Sequence, residues 1–368
     1  MDTDASDPSG AVREAHRTGT ALVVGAGVGG LATAVGLRRA GWEVTVLERR
    51  AAPERYGTAF GIHPTAQAAL DRLGLGEALR ARAVPYRHAR IRRPDGRVLA
   101  ALPLERIERR AGRPELLISR PHLIDALLAE LHRLGGTRIT YGQAYEASAA
   151  PGATLLVGAD GINSAVRATR FGTVSGPREL GTAAWIGIAG FETGVHGETW
   201  GEGRFFGMTP VEPGRTNWYA AVPGATTAEE LRAAFAGWHD PIPRVLAETD
   251  PRTWIRYPMR HLHPALPAFI RTAGPTGPAG PVALVGDAAH AMTPNLGQGA
   301  CTALLDAEAL ARAVAVHGPG ALPAALHAYE GERRRSAQRV AFGSRTLHRF
   351  VTARRPALRD ALVGLLPG

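Results

Sequence analysis

Apolar residues in this chain fall into short runs that end at glycine-rich turns and give way to stretches of helical periodicity. Ala21 to Val24 is a four-residue apolar run of the kind that forms a buried parallel strand. Gly25, Gly27 and Gly30 follow, an apolar-periodic stretch from Leu31 to Arg39 predicts a helix, and Trp42 to Leu47 predicts a second strand ending at Glu48. The same succession returns twice. Thr154 to Val157 runs into Gly158-Ala159-Asp160-Gly161 and a short helix ending at Arg167. Val282 to Val285 runs into Gly286-Asp287, and the segment Pro294 to Gly299 opens a long helix from about Ala300 to Val316. Between these units the pattern is that of strands. Tyr86–Arg93 and Arg97–Leu102 flank Pro94-Asp95-Gly96, a hairpin signal. Ala183–Phe191, Arg204–Pro210 and Thr216–Val222 read as further strands, with turns at Gly201–Gly203 and Pro213-Gly214. Helices over Ala321–His348 and Pro356–Leu366 close the chain. Strands alternating with helices, then a block of antiparallel strands, predict a mixed α/β fold.

The first of these units carries chemistry. Gly25-x-Gly27-x-x-Gly30 between a strand and a helix is a dinucleotide fingerprint. Gly25 permits the tight turn, Gly27 lets the backbone approach a pyrophosphate, and Gly30 lets helix and strand pack closely. Free N–H groups at the helix start then face the phosphates. Glu48, 18 residues beyond Gly30, is placed to accept hydrogen bonds from an adenosine ribose. Asp287 is an acid at the C-terminal end of an apolar strand, where ligands bind in open α/β sheets. The helix that starts after Gly297-Gln298-Gly299 has an N-terminus able to stabilise negative charge on a bound ring.

Composition narrows the field. A chain of 368 residues holds two domains with substantial cores. No apolar run approaches the roughly 20 residues of a membrane span. Residues 1–18 are polar, with no apolar signal-peptide core, and read as a disordered lead-in to a cytoplasmic enzyme. One cysteine, Cys301, excludes an internal disulfide framework and a cysteine-based zinc site. No metal site, serine triad or carboxylate pair needs invoking. The net charge is +10, and all 43 basic residues are arginine, so neither a Schiff-base lysine nor a lysine-bearing phosphate loop is available. The arginines are scattered among acids without interleaved aromatics, which argues against nucleic acid and for attraction of an anionic cofactor or substrate.

With these residues in order, the chain resembles the FAD-dependent aromatic hydroxylases of the para-hydroxybenzoate hydroxylase type, over roughly residues 20–345. The urate-hydroxylase-like and salicylate-hydroxylase-like bacterial members look closest. The resemblance implies an α/β fold: a Rossmann-like FAD-binding domain with an inserted antiparallel-sheet substrate domain and C-terminal helices. It implies a discontinuous FAD domain of residues 19–80, 115–180 and 275–318, a substrate domain of 81–114 and 181–274, and closing helices over 319–368. Gly25, Gly27, Gly30, Glu48 and Arg49 would hold the ADP half of FAD. Arg120 matches a family arginine that contacts FAD, and Asp160, with Gly161 and Arg167, matches a motif shared by FAD and NAD(P)H contacts. Gly286 and Asp287 would meet the ribityl chain, and Pro294, Gly297, Gln298 and Gly299 the flavin ring. Residues 57–76 resemble a second flavin-proximal segment. Two departures stand out: the antiparallel excursion expected between Gly142 and Leu155 is missing, and no thioredoxin-like extension follows residue 345.

The resemblance further implies that NADPH or NADH, docking transiently, reduces FAD, and that the reduced flavin traps O2 as a C4a-hydroperoxide. That species would deliver one oxygen atom to an aromatic or heteroaromatic small molecule. An apolar pocket is needed to exclude water, and Phe205, Phe206, Met208, Trp218 and Tyr219 are its candidates, the alternative being plain sheet core, while Arg204 is the candidate to bind an anionic substrate in that pocket. Only alternate members of each strand face the flavin, and the sequence leaves open which. His63, before Pro64, is the candidate acid–base group or else an ordinary loop histidine. His290 reads as structural. Cys301 is either a helix-terminus thiol of depressed pKa or a packing residue. Two other activities stay open: epoxidation or Baeyer–Villiger insertion in natural-product biosynthesis, and a non-redox cyclase or binding protein that retains FAD.

Overall fold

The computed structural model describes residues 19–54, 59–146, 152–272, 280–353 and 356–364. The expected lead-in 1–18, most of the expected return segment 274–281 and residues 147–151 of the shortened excursion lie outside the described residues.

The chain begins with β1 (Thr20–Val24), α1 (Val28–Arg39) and β2 (Glu43–Glu48). Next come β3 (Ala59–Ile62), α2 (Pro64–Arg72), α3 (Gly76–Arg80) and β4 (Val84–Tyr86), then the hairpin β5 (Arg90–Arg92) and β6 (Val98–Ala101). After α4 (Leu104–Ala111), β7 (Glu115–Ser119) and α5 (Arg120–Leu134) the chain forms β8 (Thr137–Tyr141), β9 (Leu155–Gly158) and α6 (Ala165–Phe171). The strands β10 (Gly176–Ala189), β11 (Gly197–Trp200), β12 (Phe205–Glu212) and β13 (Arg215–Pro223) precede α7 (Ala228–Phe235), α8 (Ile242–Glu248) and β14 (Ile255–His263). β15 (Ile270–Arg271) and β16 (Val282–Leu284) lead to α9 (Asp287–His290), α10 (Gly299–His317), α11 (Leu322–Val351) and α12 (Pro356–Gly364).

Three sheets organise these elements. The first has the order β15-β16-β9-β1-β2-β8, parallel throughout except for the edge strand β15. Its central strands read as unbroken apolar runs because both faces are covered: Val23, Leu155, Val157, Ala283 and Leu284 are fully buried. Helix α1 has almost no polar face, since it is wedged between this sheet, α5 and α10. Its Gly36 fits against α10 so closely that a Cβ would stand 2.4 Å from that of Ala311.

The second sheet runs β14-β10-β13-β12-β11-β5-β6, antiparallel except between β11 and β5. One face packs under α7 and α8, where Trp185, Phe206, Met208 and Trp218 meet Phe235, Trp238, Ile242 and Val245. Part of the opposite face is covered by the end of α11 and by α12, through Trp200, Phe205, Ala221 and Met259 against Val351 and Val363. The small third sheet, β3-β7-β4, lies against β12.

One expected strand divides. Tyr86–Arg93 reads as continuous, but its start pairs with β7 in the third sheet while Arg90–Arg92 pairs with β6 and β11 in the second. Pro85 is tolerated because β4 is an edge strand, where a missing N–H leaves no ladder bond unmade.

Candidate active site

Each fingerprint glycine occupies a different physical situation. Gly25 has φ +106°, and a Cβ there would stand 2.4 Å from the carbonyl oxygen of Ala159. Gly30 carries its helix against the turn, so that a Cβ would fall 1.9 Å from the oxygen of Gly25. Gly27 is unlike both: it has an ordinary φ of −79°, caps α1 without a side-chain bond, and a Cβ there would meet nothing within 4 Å. The space above Gly27 is open at the positive end of α1, where a diphosphate would sit.

Glu48 ends β2 beside this corner and is only 6 % exposed. Its Oε2 accepts the Ala26 N–H at 2.8 Å and its Oε1 the Arg50 N–H at 2.8 Å. The acid thus clamps the glycine turn to the β2 exit, and each oxygen keeps a lone pair for a ribose hydroxyl. Arg49, next to it, is exposed. The Asp160 carboxylate accepts Ser164 Oγ at 2.5 Å and the Ala165 and Val166 N–H groups at 2.6 and 3.1 Å, so it ties down the start of α6 and keeps one lone pair on Oδ1. Arg167 is buried and ties α6 to α9 through the Ala288 carbonyl at 3.0 Å.

Asp287 begins α9 at the end of β16. The residue is exposed, yet protein crowds its carboxyl. That desolvation raises its pKa, opposed by His290 and Arg120. Arg120, the first residue of α5, stands 3.5 Å from Glu54 and over the Phe60 ring at 5.5 Å. Behind Asp287 is a buried network that the sequence did not reveal. Asp306 of α10 accepts His290 Nε2 at 2.5 Å, Arg333 Nε at 2.9 Å and the Gly286 N–H at 3.0 Å. These partners and their charges hold the Asp306 carboxyl below the usual carboxylate range against its burial. Helices α10 and α11 thereby fix the turn that presents Asp287. In the loop before α10, Gly297 is left-handed at φ +63° and Gln298 is the N-cap. Pro294 is exposed, and Gln298 and Gly299 are half-buried. Between them Asn295, another residue not foreseen as a contact, buries both side-chain polar atoms without a protein partner. An orphaned amide in this loop matches the donor–acceptor edge of a flavin ring.

The inner face of the seven-stranded sheet stands near Asp287 and Arg120, which act on its Tyr257, and strand pairing fixes its alternation. Phe206, Met208 and Trp218, expected as pocket candidates, are turned to the opposite face and form core under α7 and α8. Arg204 likewise stacks over Trp238 of that layer at 5.9 Å, so it too belongs with the far face. Phe205 is on the inner face but is sealed against Trp200 and the C-terminal helices. Of the six candidates only Tyr219 remains on the open part, joined by the half-buried Ile186 and Ile188. Tyr257 of β14 is 37 % exposed, burial raises its phenol pKa, and Arg120 and Asp287 act on it electrostatically.

His63 caps α2, with Nδ1 3.6 Å from Glu115 Oε2. Burial lowers the His63 pKa and pushes the Glu115 carboxyl up to about 7, so both groups are shifted toward their uncharged forms. A glycine at 61 makes room for this acid: a Cβ there would stand 2.1 Å from Glu115 Oε1. Cys301 is fully buried, its Sγ donates to the Gly61 carbonyl at 3.1 Å, and burial pushes the thiol up to about 12. The packing role holds, and the helix terminus does not activate this sulfur. His290, at 3 % exposure, is structural. Among the described residues no group of three or more potential metal ligands occurs, and no helix is long and apolar enough to cross a membrane.

The open space above Gly27, the exposed Asp287 and the orphaned Asn295 fit FAD. Comparisons with known proteins agree. The family model described as "FAD binding domain" matches residues 18–152 and 149–344. The aurachin C monooxygenase/isomerase of Stigmatella aurantiaca is 34 % identical over 359 residues, covering 88 % of each chain. The FAD-dependent urate hydroxylase of Klebsiella pneumoniae is 30 % identical over 339 residues, covering 85 % of each. The crystal structure of Klebsiella pneumoniae HpxO complexed with FAD and uric acid superposes with a TM-score of 0.81 at 26 % identity, covering 94 % of this chain and 92 % of that one. The chain belongs to the FAD-binding-domain family, as a flavoprotein monooxygenase whose cofactor is FAD.

Proposed function

We propose that the protein hydroxylates an aromatic or heteroaromatic small molecule, using O2 as oxidant and NADPH or NADH as a transient reductant. The observation that carries this reading is that Asp287 and Arg120 act on Tyr257, and Glu115 beside His63 acts on Tyr219, which sets the cofactor-side groups against the inner sheet face. When bound, FAD supplies the redox and oxygen chemistry; the protein supplies position, shielding and proton handling. The Gly25–Gly30 corner would hold the diphosphate, Glu48 the ribose, Asp287 the ribityl chain, and Asn295 with the Gly297–Gly299 turn the ring. Ile186, Ile188 and Tyr219 would exclude water from the reacting face. His63, with Glu115 behind it, would take the proton of a phenol or enol at its ring nitrogen, raising electron density on the carbon to be oxygenated.

In the same reading residues 19–80, 115–180 and 275–318 serve the cofactor, residues 81–114 and 181–274 serve the substrate, and the enzyme works in the cytoplasm, where NAD(P)H is supplied. The test is NAD(P)H oxidation with oxygen uptake by the yellow holoenzyme across a panel of phenols and N-heterocycles. Substrate-stimulated uptake with a product heavier by one oxygen atom is expected. Ligand binding without stimulated uptake would end the proposal.

A further inference from the structure

We propose that the inner sheet face carries an acceptor-lined reading site, centred on Glu198, that admits uncharged aromatic rings bearing an N–H or O–H donor and excludes rings bearing a carboxylate. The inference rests on that face lining the substrate pocket. Glu198 lies on β11 opposite Gly207, on the same face as Tyr219. A Cβ at Gly207 would stand 2.1 Å from Tyr219 Cζ, so it is this glycine that lets the Tyr219 ring cross toward Glu198. Tyr219 Oη donates to Glu198 Oε1 at 3.0 Å, and Trp200 Nε1 donates to Oε2 at 2.6 Å. A carboxylate offers about four lone-pair sites, so roughly half of its capacity is still open. Glu198 is half-buried, with protein crowding its carboxyl. Burial raises its pKa, and among the described residues the groups that offset this are Trp200 and Tyr219, with no arginine among them.

A second acceptor stands two residues from Tyr219 on the same strand face. Asn217 is 2 % exposed, donates its Nδ2 to Thr209 Oγ1 at 2.9 Å, and leaves its Oδ1 buried without a partner. The other titratable groups that act on Tyr219 are also acidic or phenolic, Glu115 and Tyr86. Neither of the arginines on this side is among the groups that act on Glu198 or Tyr219. Arg92 donates to the His196 carbonyl at 3.1 Å, and Arg120 faces Glu54 and Asp287 on the cofactor side. A ring N–H or O–H would satisfy Glu198 or Asn217, whereas a ring carboxylate would be desolvated against Glu198, on which no arginine acts among the described residues.

The test uses the FAD-loaded protein and equilibrium dialysis with two pairs of probes: 4-methylphenol against 4-hydroxybenzoate, and indole against indole-3-carboxylate. The uncharged member of each pair should bind about tenfold tighter or more. Glu198→Gln should shrink that ratio by about tenfold. Tyr219→Phe, which removes a donor from Glu198 and leaves the acid in place, should retain or widen it, an opposite movement that a purely structural role would not produce. Absence of discrimination in wild type, whether both members bind or neither does, overturns the proposal. So does a ratio unchanged in Glu198→Gln, or, if that variant does not fold, a ratio abolished in Tyr219→Phe. Oxygen uptake with NADPH, measured in parallel, reports on the reaction separately: discrimination without uptake would leave the reading site standing and remove the hydroxylation.

Discussion

Glu48 and Asp287 are both acids at strand ends, yet the protein holds them in opposite ways. Glu48 is tied to two backbone N–H groups, whereas Asp287 has His290 and Arg120 as electrostatic neighbours. Asp287→Ala should therefore give a folded but colourless protein, read from the visible absorption spectrum after purification; full FAD retention would place the ribityl contact elsewhere. Glu48→Ala should weaken FAD binding and also destabilise the fold by about 1–3 kcal/mol, because two N–H donors lose their acceptor in a buried corner. Chemical denaturation of the apoprotein checks the second part. His63→Ala should slow substrate oxygenation near neutral pH while flavin reduction by NADPH proceeds, and an unchanged pH–rate profile would discard the histidine as proton acceptor. The glycines, Glu48 and Asp287 were legible in the sequence because their spacing is local to a strand, a turn and a helix. Asn295, Glu198 and Asp306 were not: an orphaned amide, a crowded carboxyl and a buried acid are defined by neighbours far away in the chain.

At the level of elements, alternation along β12 and β13 was readable but its direction was not. Register against β10 and β11, and the seating of α7 and α8, turn Phe206, Met208 and Trp218 outward and Tyr219 inward. The helix pair α10–α11 had no sequence signal for its most consequential contact, Asp306 with His290 and Arg333. Asp306→Ala should cost about 3–5 kcal/mol, since it leaves Arg333 buried without its counter-ion. Thermal melts of apoprotein and holoprotein would measure it, and a loss below about 1 kcal/mol would mean the network relaxes through water.

Where β14 meets α11, burial and the positive charges of Arg345, His263, Arg349 and His348 depress His261 to about 4 from 6.5. Between those values the unfolded chain binds the additional proton, so this histidine's contribution is complete above pH 6.5 and is lost as pH falls toward 4. Glu115 has the reverse sign: raised from 4.5 to about 7, it contributes fully below pH 4.5 and ceases to as pH rises through 7. His261→Gln should flatten the decline in melting temperature on the acid side, and Glu115→Gln the decline toward neutrality.

In the whole molecule, the cofactor sheet is assembled from strands separated by most of the chain: β1 pairs with β9, and β9 with β16. FAD bridging these strand ends would bind only after all three segments have met, so added FAD should raise the melting temperature. A free concentration of 100 times Kd corresponds to about 2.7 kcal/mol. The opening above Gly27 gives a way to separate assembly from loading. Its backbone angles suit any residue, and nothing in the protein claims the volume a methyl group would fill. Alanine at that position would leave the apoprotein intact and obstruct only the visitor, making it a matched blank against which every spectroscopic and calorimetric signature of the yellow enzyme could be subtracted.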